Sequence, residues 1–165
     1  MTLPASVTPP TKADRELLAF ANSAEFAGRD LYAVAASLAL FNDDERAMLV
    51  GFHDHHRAAG QSLAGIVGAL ATNVRSDAVY NAFRGRLEGT DKNAVLDALR
   101  ELENTLASTH LSLVGALEGS EGAALVASIL NIEARQSVAL AILTGRVLDD
   151  ALTNSAVALS PVVGS

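Results

Sequence analysis

Four long segments of this chain carry apolar residues at alternating steps of three and four. In the first segment the stripe consists of Leu17, Ala21, Ala24, Gly28, Leu31, Ala35 and Leu38. This spacing is the period of an α-helix that buries one face. Because such a helix draws most of its stability from packing that face against another element, four stripes in one chain predict an all-α bundle.

The other three stripes have the same period but include polar residues. They consist of Leu49, Phe52, His56, Ala59, Leu63, Ile66 and Leu70; of Leu96, Leu99, Glu103, Leu106, His110, Leu113 and Leu117; and of Val126, Ile129, Glu133, Gln136, Leu140, Leu143 and Val147. The first helix is predicted from about Asp14 to Leu40. Asn42 and Glu45 form a capping pair that starts the second.

Residues 72–91 break the pattern and are predicted to form a long crossover. Within it Ser76 caps a predicted short amphipathic helix that ends before Gly89, and the third long helix starts near Asp91. Gly119 and Ser120 then end the third long helix and supply the N-cap of the fourth. Two short connections around one long one are typical of a four-helix bundle with a crossover between its second and third helices.

The chain is predicted to have one folded domain with an extension at each end. Residues 1–13 contain three prolines and form an extended N-terminal arm. Residues 14–150 form the bundle, which is the length of a single domain. Residues 151–165 form a C-terminal tail that is flexible or docked on a neighbour, so a homo-oligomer or a protein partner bound through this tail is an open expectation.

Composition excludes several classes of function. The formal net charge of −7, without a basic stripe, argues against nucleic acid and anionic membrane surfaces. The absence of cysteine excludes disulfides, cysteine-ligated zinc, iron–sulfur clusters and thiol catalysis. No apolar run approaches the ~20 residues of a membrane span, and the N-terminus lacks signal-peptide features. We expect a cytoplasmic protein, although the same sequence is compatible with a leader that has been removed.

Acidic and histidine residues lie in or beside the apolar stripes. Glu25 lies at the edge of the first stripe, whereas Glu103 and Glu133 lie at the centre of theirs. His53 and His56 are three residues apart on one face of the second helix. All five are near the midpoints of their helices, so we expect one polar layer at mid-bundle. Because buried carboxylates are unfavourable without partners, some group must compensate them.

The two halves of the chain repeat this pattern. Equivalent residues lie 78 or 80 positions apart, as in a duplicated helix pair. The pairs are Glu25 and Glu103, Tyr32 and His110, His53 and Glu133, and His56 and Gln136.

Carboxylates and imidazoles that converge from four helices suit iron or manganese. The arrangement resembles the ferritin-like superfamily, in which two helices supply one Glu each and the other two supply a Glu-x-x-His motif. The resemblance covers residues 14 to about 148. Within the superfamily, the chain is most similar to small bacterial ferritin-like domains of unassigned role. Glu25 and Glu103 match the two single glutamates, and His56 matches one motif histidine.

Two positions depart from the family motif. His53 stands where the family has a bridging Glu, and Gln136 stands where it has a histidine. The resemblance implies one or two iron or manganese ions, and a role in metal storage or in oxygen or peroxide chemistry. The ligands it implies are Glu25, His53, His56, Glu103, Glu133 and Gln136.

The residues leave other interpretations open. A single ion could be held by His53 and His56 with the carboxylates, whereas His110, ~10 Å along the helix from Glu103, is predicted to lie too far away to share it. A metal-free bundle that acts as an interaction or scaffold protein is favoured by the departures at His53 and Gln136. A haem-binding bundle has little support, because few aromatic residues are present to line a pocket.

Overall fold

The computed structural model describes residues 7–161 of the chain. Helices cover most of that range, and no strand occurs within it. The α-helices are α1 (Lys12–Ser37), α2 (Asp43–Val67), α3 (Asp77–Arg84), α4 (Lys92–Ala116), α5 (Ser120–Leu143) and α6 (Leu148–Leu152), with short 3₁₀-helices at Gly68–Leu70 and Gly85–Leu87. The predicted all-α four-helix bundle is confirmed, and its long helices are α1, α2, α4 and α5.

Reciprocal side-chain caps fix where α1 and α2 begin. The Thr11 hydroxyl accepts a hydrogen bond from the Asp14 N–H, and the Asp14 carboxylate accepts one from the Thr11 N–H. Asn42 and Glu45 form the same pair at the start of α2, as the sequence predicts. Because Thr11 supplies the cap, α1 begins at Lys12, two residues before the predicted start.

Arg46 of α2 closes the turn that joins α1 to α2. Its guanidinium donates hydrogen bonds to the carbonyls of Ala36, Leu38 and Phe41. The carbonyls of Ala36 and Leu38 lie where α1 ends, and that of Phe41 lies in the turn just before α2. The backbone of Leu38 is extended, so α1 stops at Ser37 rather than at the predicted Leu40.

The two helical hairpins pack into one bundle through the crossover. α1 packs along α2 and α4 along α5, and the hairpins meet through α1–α4 and α2–α5 contacts. Ser76 caps α3 as predicted, and its N–H donates to the Ser23 carbonyl of α1 at 2.8 Å. Val79 and Phe83 of α3 are buried, so the crossover contributes to the core.

The described parts of the arm and the tail lie against the bundle. Thr8 donates its N–H to Ser120 Oγ at 2.8 Å. In the tail, the Leu159 N–H donates to Thr109 Oγ1 at 2.9 Å, which fixes this segment on α4 of the same chain. The predictions for residues 1–6 and 162–165 lie outside the described residues.

The core consists of two apolar clusters along the bundle axis. One contains Leu31 of α1 and Leu49 of α2, and the other contains Leu18 of α1 and Leu63 of α2. Glu25 and His56 lie between these positions on their helices, so a polar layer separates the clusters.

By length and apolar composition alone, α5 would be able to cross a membrane, although the sequence analysis expected no such segment. One helix of this kind is weak evidence, because core helices of bundles meet the same criterion. α5 also buries Glu133 and Gln136 inside the protein, as a core helix of a bundle would.

Candidate metal centre

Four of the predicted site residues meet at mid-bundle. Glu25 comes from α1, His56 from α2, Glu103 from α4 and Glu133 from α5, and each is at most 1% exposed. All four long helices therefore contribute a buried ionisable side chain to one layer.

These side chains and His110 form an alternating row of carboxylates and imidazoles. Glu133 Oε2 lies 2.8 Å from His110 Nδ1, and His110 Nε2 lies 3.6 Å from Glu25 Oε1. Glu25 Oε2 lies 2.9 Å from His56 Nδ1, and His56 Nε2 lies 3.1 Å from Glu103 Oε1. We call these five residues, Glu133, His110, Glu25, His56 and Glu103, the central row.

Aromatic rings hold one end of the central row in place. The ring of Tyr32 stacks on the His56 imidazole with centroids 5.3 Å apart and planes at 22°. The Tyr32 hydroxyl donates a hydrogen bond to Glu103 Oε1. Phe52 packs edge-on against Tyr32 at 5.6 Å. His56 is thus confined by two carboxylates and by a ring.

Glycines in α1 and α2 allow these helices to approach closely. A Cβ on Gly28 would lie 3.0 Å from His56 Nδ1, and a Cβ on Gly60 would lie 2.8 Å from the Phe26 ring. Gly28 in the first stripe therefore lets His56 lie against the backbone of α1.

The structure does not bring His53 into the central row. Its side chain is 28% exposed, and its Nδ1 lies 3.2 Å from Oδ1 of the neighbouring Asp54. Residues three apart on a helix are rotated by about 60° relative to each other. This rotation moves His53 from the buried face of α2, which His56 occupies, to its edge.

His110 lies inside the cluster, contrary to the expectation that it is too far from the ion. The ~10 Å that separates it from Glu103 along α4 is not the relevant distance. Glu25 and Glu133 belong to other helices, and their carboxylates reach His110 from those helices. The polar layer therefore extends along the axis, which helix midpoints alone did not predict.

Gln136 is buried on α5 beside the central row. Its hydrogen bond is to a residue outside that row. Its Nε2 donates a hydrogen bond to His55 Nδ1 at 2.9 Å. His55 is exposed, yet its ring reaches back to α5. The hydrogen bond between His55 and Gln136 was not predicted, because His55 lies outside the apolar stripe of α2.

The internal repeat of the sequence corresponds to reciprocal contacts between the two hairpins. Tyr32 follows Glu25 by seven residues and contacts Glu103 on the other hairpin. His110 follows Glu103 by seven residues and approaches Glu25. The repeat was therefore the signal in the sequence that could have placed Tyr32 and His110 at the site.

Burial and neighbouring charges assign the protons at one end of the row. Burial alone would lower the pKa of His56, but Glu103 and Glu25 raise it well above its usual value. Burial alone would raise the pKa of Glu25, but the charge of His56 keeps it below its usual range. His56 is thus an imidazolium that donates through both nitrogens, to Glu25 and to Glu103.

The other end of the row is uncharged. Burial raises the pKa of Glu133 well above its usual value, and the carboxylates of Glu25 and Glu103 raise it further. Burial lowers the pKa of His110. Glu133 Oε2 and His110 Nδ1 lie 2.8 Å apart, and a single shared proton satisfies this contact.

Several potential ligand atoms in this layer have no hydrogen-bond partner. Within residues 7–161, five of the seven buried side-chain atoms that lack a partner belong to the central row or to Gln136. They are Glu25 Oε1, Glu103 Oε2, Glu133 Oε1, His110 Nε2 and Gln136 Oε1. Buried polar atoms are rarely left unpaired, so the layer is suited to receiving another group.

The donor set fits a divalent metal. Glu25, His110 and Glu133 each offer a ligand atom, and these atoms lie within 4.8 Å of one another. Carboxylate oxygens with an imidazole nitrogen suit iron and manganese. The residues present therefore match the chemistry of such an ion.

Comparison with known proteins agrees with this architecture. No curated protein and no solved structure gives a significant match to the chain. The family described as the ferritin-like domain matches residues 13–146, which include all four long helices except the first residue of α1. With its four-helix bundle and its buried carboxylates and histidines, the chain belongs to the ferritin-like domain family.

Proposed function

We propose that this protein binds a divalent metal ion of the iron or manganese class in the central row. One observation carries the proposal: Glu25, His110 and Glu133 offer ligand atoms within 4.8 Å of one another. An oxygen or nitrogen of each also lacks a hydrogen-bond partner among the described residues. Membership of the ferritin-like family supports the same function.

Glu25, His110 and Glu133 would hold the first ion. If a second ion binds, Glu103 and His56 would supply ligands for it. Bound iron or manganese supplies Lewis acidity and a change of oxidation state, which metal storage and oxygen or peroxide chemistry require. His53 has no part in the proposal, because it lies at the edge of α2 beside Asp54.

The protons of the central row couple metal binding to pH. The ion would displace the proton that Glu133 holds, and at the second position the proton of His56 as well. Metal binding therefore releases protons, and the affinity weakens as the pH falls.

The test is a count of bound metal. The protein is produced with iron and manganese supplied, purified without chelator or metal-affinity resin, and assayed by elemental mass spectrometry. We expect about one or two ions per chain in the wild type. Glu133→Gln and His110→Gln should each lose the metal, whereas His53→Ala, on a histidine outside the row, should keep it.

Two outcomes would contradict the proposal. One is a wild-type protein without metal whose thermal melt, followed by circular dichroism, shows an intact helical fold. The other is equal metal content in Glu133→Gln, His110→Gln and the wild type, since the ion would then lie elsewhere.

A metal-free bundle with an ionic core is the second candidate, and one contact pattern favours it. His56 is paired with both Glu25 and Glu103 at hydrogen-bond distance, so this end of the row compensates its own charges. If the wild type holds no metal, the function lies on the surface, and affinity capture of a protein partner is the next measurement.

A further inference from the structure

A recess of about 400 Å³ opens on the surface between α2 and α5. Phe52 and His55 line it from α2, and Ile132, Arg135, Gln136 and Ala139 line it from α5. A smaller internal cavity of about 10 Å³ lies behind it. That volume is near the minimum that holds one water molecule.

The recess and the internal cavity share part of their walls. His55, Ile132 and Gln136 line both. The internal cavity is also bounded by Glu25 and Glu133 of the central row. The surface recess and the cavity beside the proposed ligands are therefore neighbours with three lining residues in common.

A larger recess on the opposite hairpin does not reach the central row. It has a volume of about 640 Å³ and lies between α4 and the tail, where Arg100, Arg146 and Val157 line it. None of its lining residues bounds the internal cavity. The volume of a recess alone therefore does not identify an access route to the central row.

We infer that the recess between α2 and α5 is the access route by which a divalent metal ion reaches the central row, and that His55 and Gln136 form its gate. The inference rests on the proposed function. It adds a route and two residues that act before the ion is bound.

The chemistry of the shared wall suits the transfer of a cation. A divalent ion cannot cross an apolar helix interface without ligands, because its desolvation is too unfavourable. His55 Nδ1 accepts the hydrogen bond from the Gln136 amide, so it carries a lone pair. If the amide moved away, this imidazole nitrogen would be free to bind an incoming ion.

Gln136 continues the route inward. Its Oε1 is buried and has no hydrogen-bond partner within residues 7–161. Gln136 and Glu133 are three residues apart and therefore neighbours on α5. The imidazole of His55, the amide oxygen of Gln136 and the carboxylate of Glu133 would thus offer a divalent ion successive ligands along the route.

The first test blocks the route without touching a polar residue. Ile132→Trp enlarges a side chain in the shared wall. Ile142→Trp makes the same change ten residues further along α5, at a residue that does not line the recess. The metal-free protein is mixed with Co²⁺ in a stopped-flow instrument, and the rise of the cobalt absorption gives the loading rate. We expect Ile132→Trp to load at least about tenfold more slowly, with the same final Co²⁺ content, and Ile142→Trp to load at the wild-type rate.

The second test addresses the gate. His55→Phe keeps a ring against Phe52 but removes the nitrogen, and His53→Phe is the matched control on the same helix. Because the nitrogen of His55 lowers the barrier on the route and does not hold the bound ion, His55→Phe should slow Co²⁺ loading and chelator-driven release by the same factor. His53→Phe should change neither rate.

The outcomes separate this inference from the proposed function. A wild type that binds no Co²⁺ overturns both. A wild type that binds Co²⁺ while Ile132→Trp loads at the wild-type rate overturns the access route alone. Loss of Co²⁺ at equilibrium in His55→Phe overturns the gate, because His55 would then be a ligand of the bound ion.

Discussion

His56 lies against the backbone of α1 because Gly28 has no side chain at the point of contact. The imidazole has little freedom to move, since Glu25 and Glu103 hold its two nitrogens and Tyr32 stacks on its ring. A single glycine therefore sets the depth at which the central row forms.

Gly28→Ala is predicted to destabilise the protein by about 1–3 kcal/mol, even though Ala is the better helix former. The new methyl group would lie 3.0 Å from His56 Nδ1, and the confined ring cannot retreat. Gly51→Ala in the middle of α2 is the matched control, since no heavy atom of the described residues lies within 4 Å of the place that its methyl group would take. It should stabilise the protein by up to about 1 kcal/mol. Urea denaturation measures both, and equal effects would exclude a packing role for Gly28.

Asp14 joins two elements that are far apart in the sequence. Besides capping α1, its carboxylate accepts hydrogen bonds from the N–H groups of Glu118 and Gly119, each at 2.9 Å. The start of α1 is thereby fixed to the turn between α4 and α5. Burial alone would raise the pKa of Asp14, but these backbone N–H groups and that of Thr11 lower it from its ordinary value of 3.8.

Asp14→Asn is predicted to cost about 1–2 kcal/mol of unfolding free energy at pH 7, because three backbone donors lose a charged acceptor. The folded pKa is depressed, so the contribution of Asp14 is present above pH 3.8 and is lost as the pH falls through the lower folded value. The difference between wild type and variant should shrink over that range. Asp44→Asn, exposed in the first turn of α2, should cost less than about 0.5 kcal/mol. Denaturation at several pH values tests this, and a difference that persists at low pH would contradict it.

At the scale of the whole molecule, the polar layer divides the core into two apolar clusters. Unpaired carboxylate oxygens in that layer are unfavourable in the metal-free protein. If the proposed ion binds, it would remove this cost only in the folded state, where the four helices bring these side chains together. Metal binding and global stability are therefore linked.

Manganese is predicted to raise the melting temperature of the wild type, and chelator to reverse the rise. At a free concentration of 100 times the dissociation constant the gain is about 2.7 kcal/mol, or roughly 5–10 °C for a chain of this size. The double variant Glu103→Leu with His110→Leu should show no metal-dependent rise. Its metal-free melting temperature should lie below that of the wild type, because the change removes a partner of His56, Tyr32 and Glu133 and leaves their polar atoms buried. Differential scanning calorimetry with and without Mn²⁺ measures the melting temperature of both proteins. A metal-dependent rise in the double variant would argue against the central row as the metal site.

The sequence by itself determined the helices, their caps and the faces that they bury. These features depend on residues three or four positions apart, so periodicity and the pair Asn42–Glu45 were sufficient to predict them. The meeting of Glu25, Glu103 and Glu133 also followed, because these residues lie near the midpoints of their helices.

Only the tertiary structure decided which side chains complete the layer. His53 was expected inside and lies at the edge, whereas His110 was expected apart and lies 2.8 Å from Glu133. The contact between His55 and Gln136 was not foreseen at all. The rotation of each helix and its axial shift against its neighbours are set by packing between segments distant in the chain, such as Gly28 against His56. Side chains from four helices meet only after those shifts are fixed, and no local pattern in the sequence encodes them.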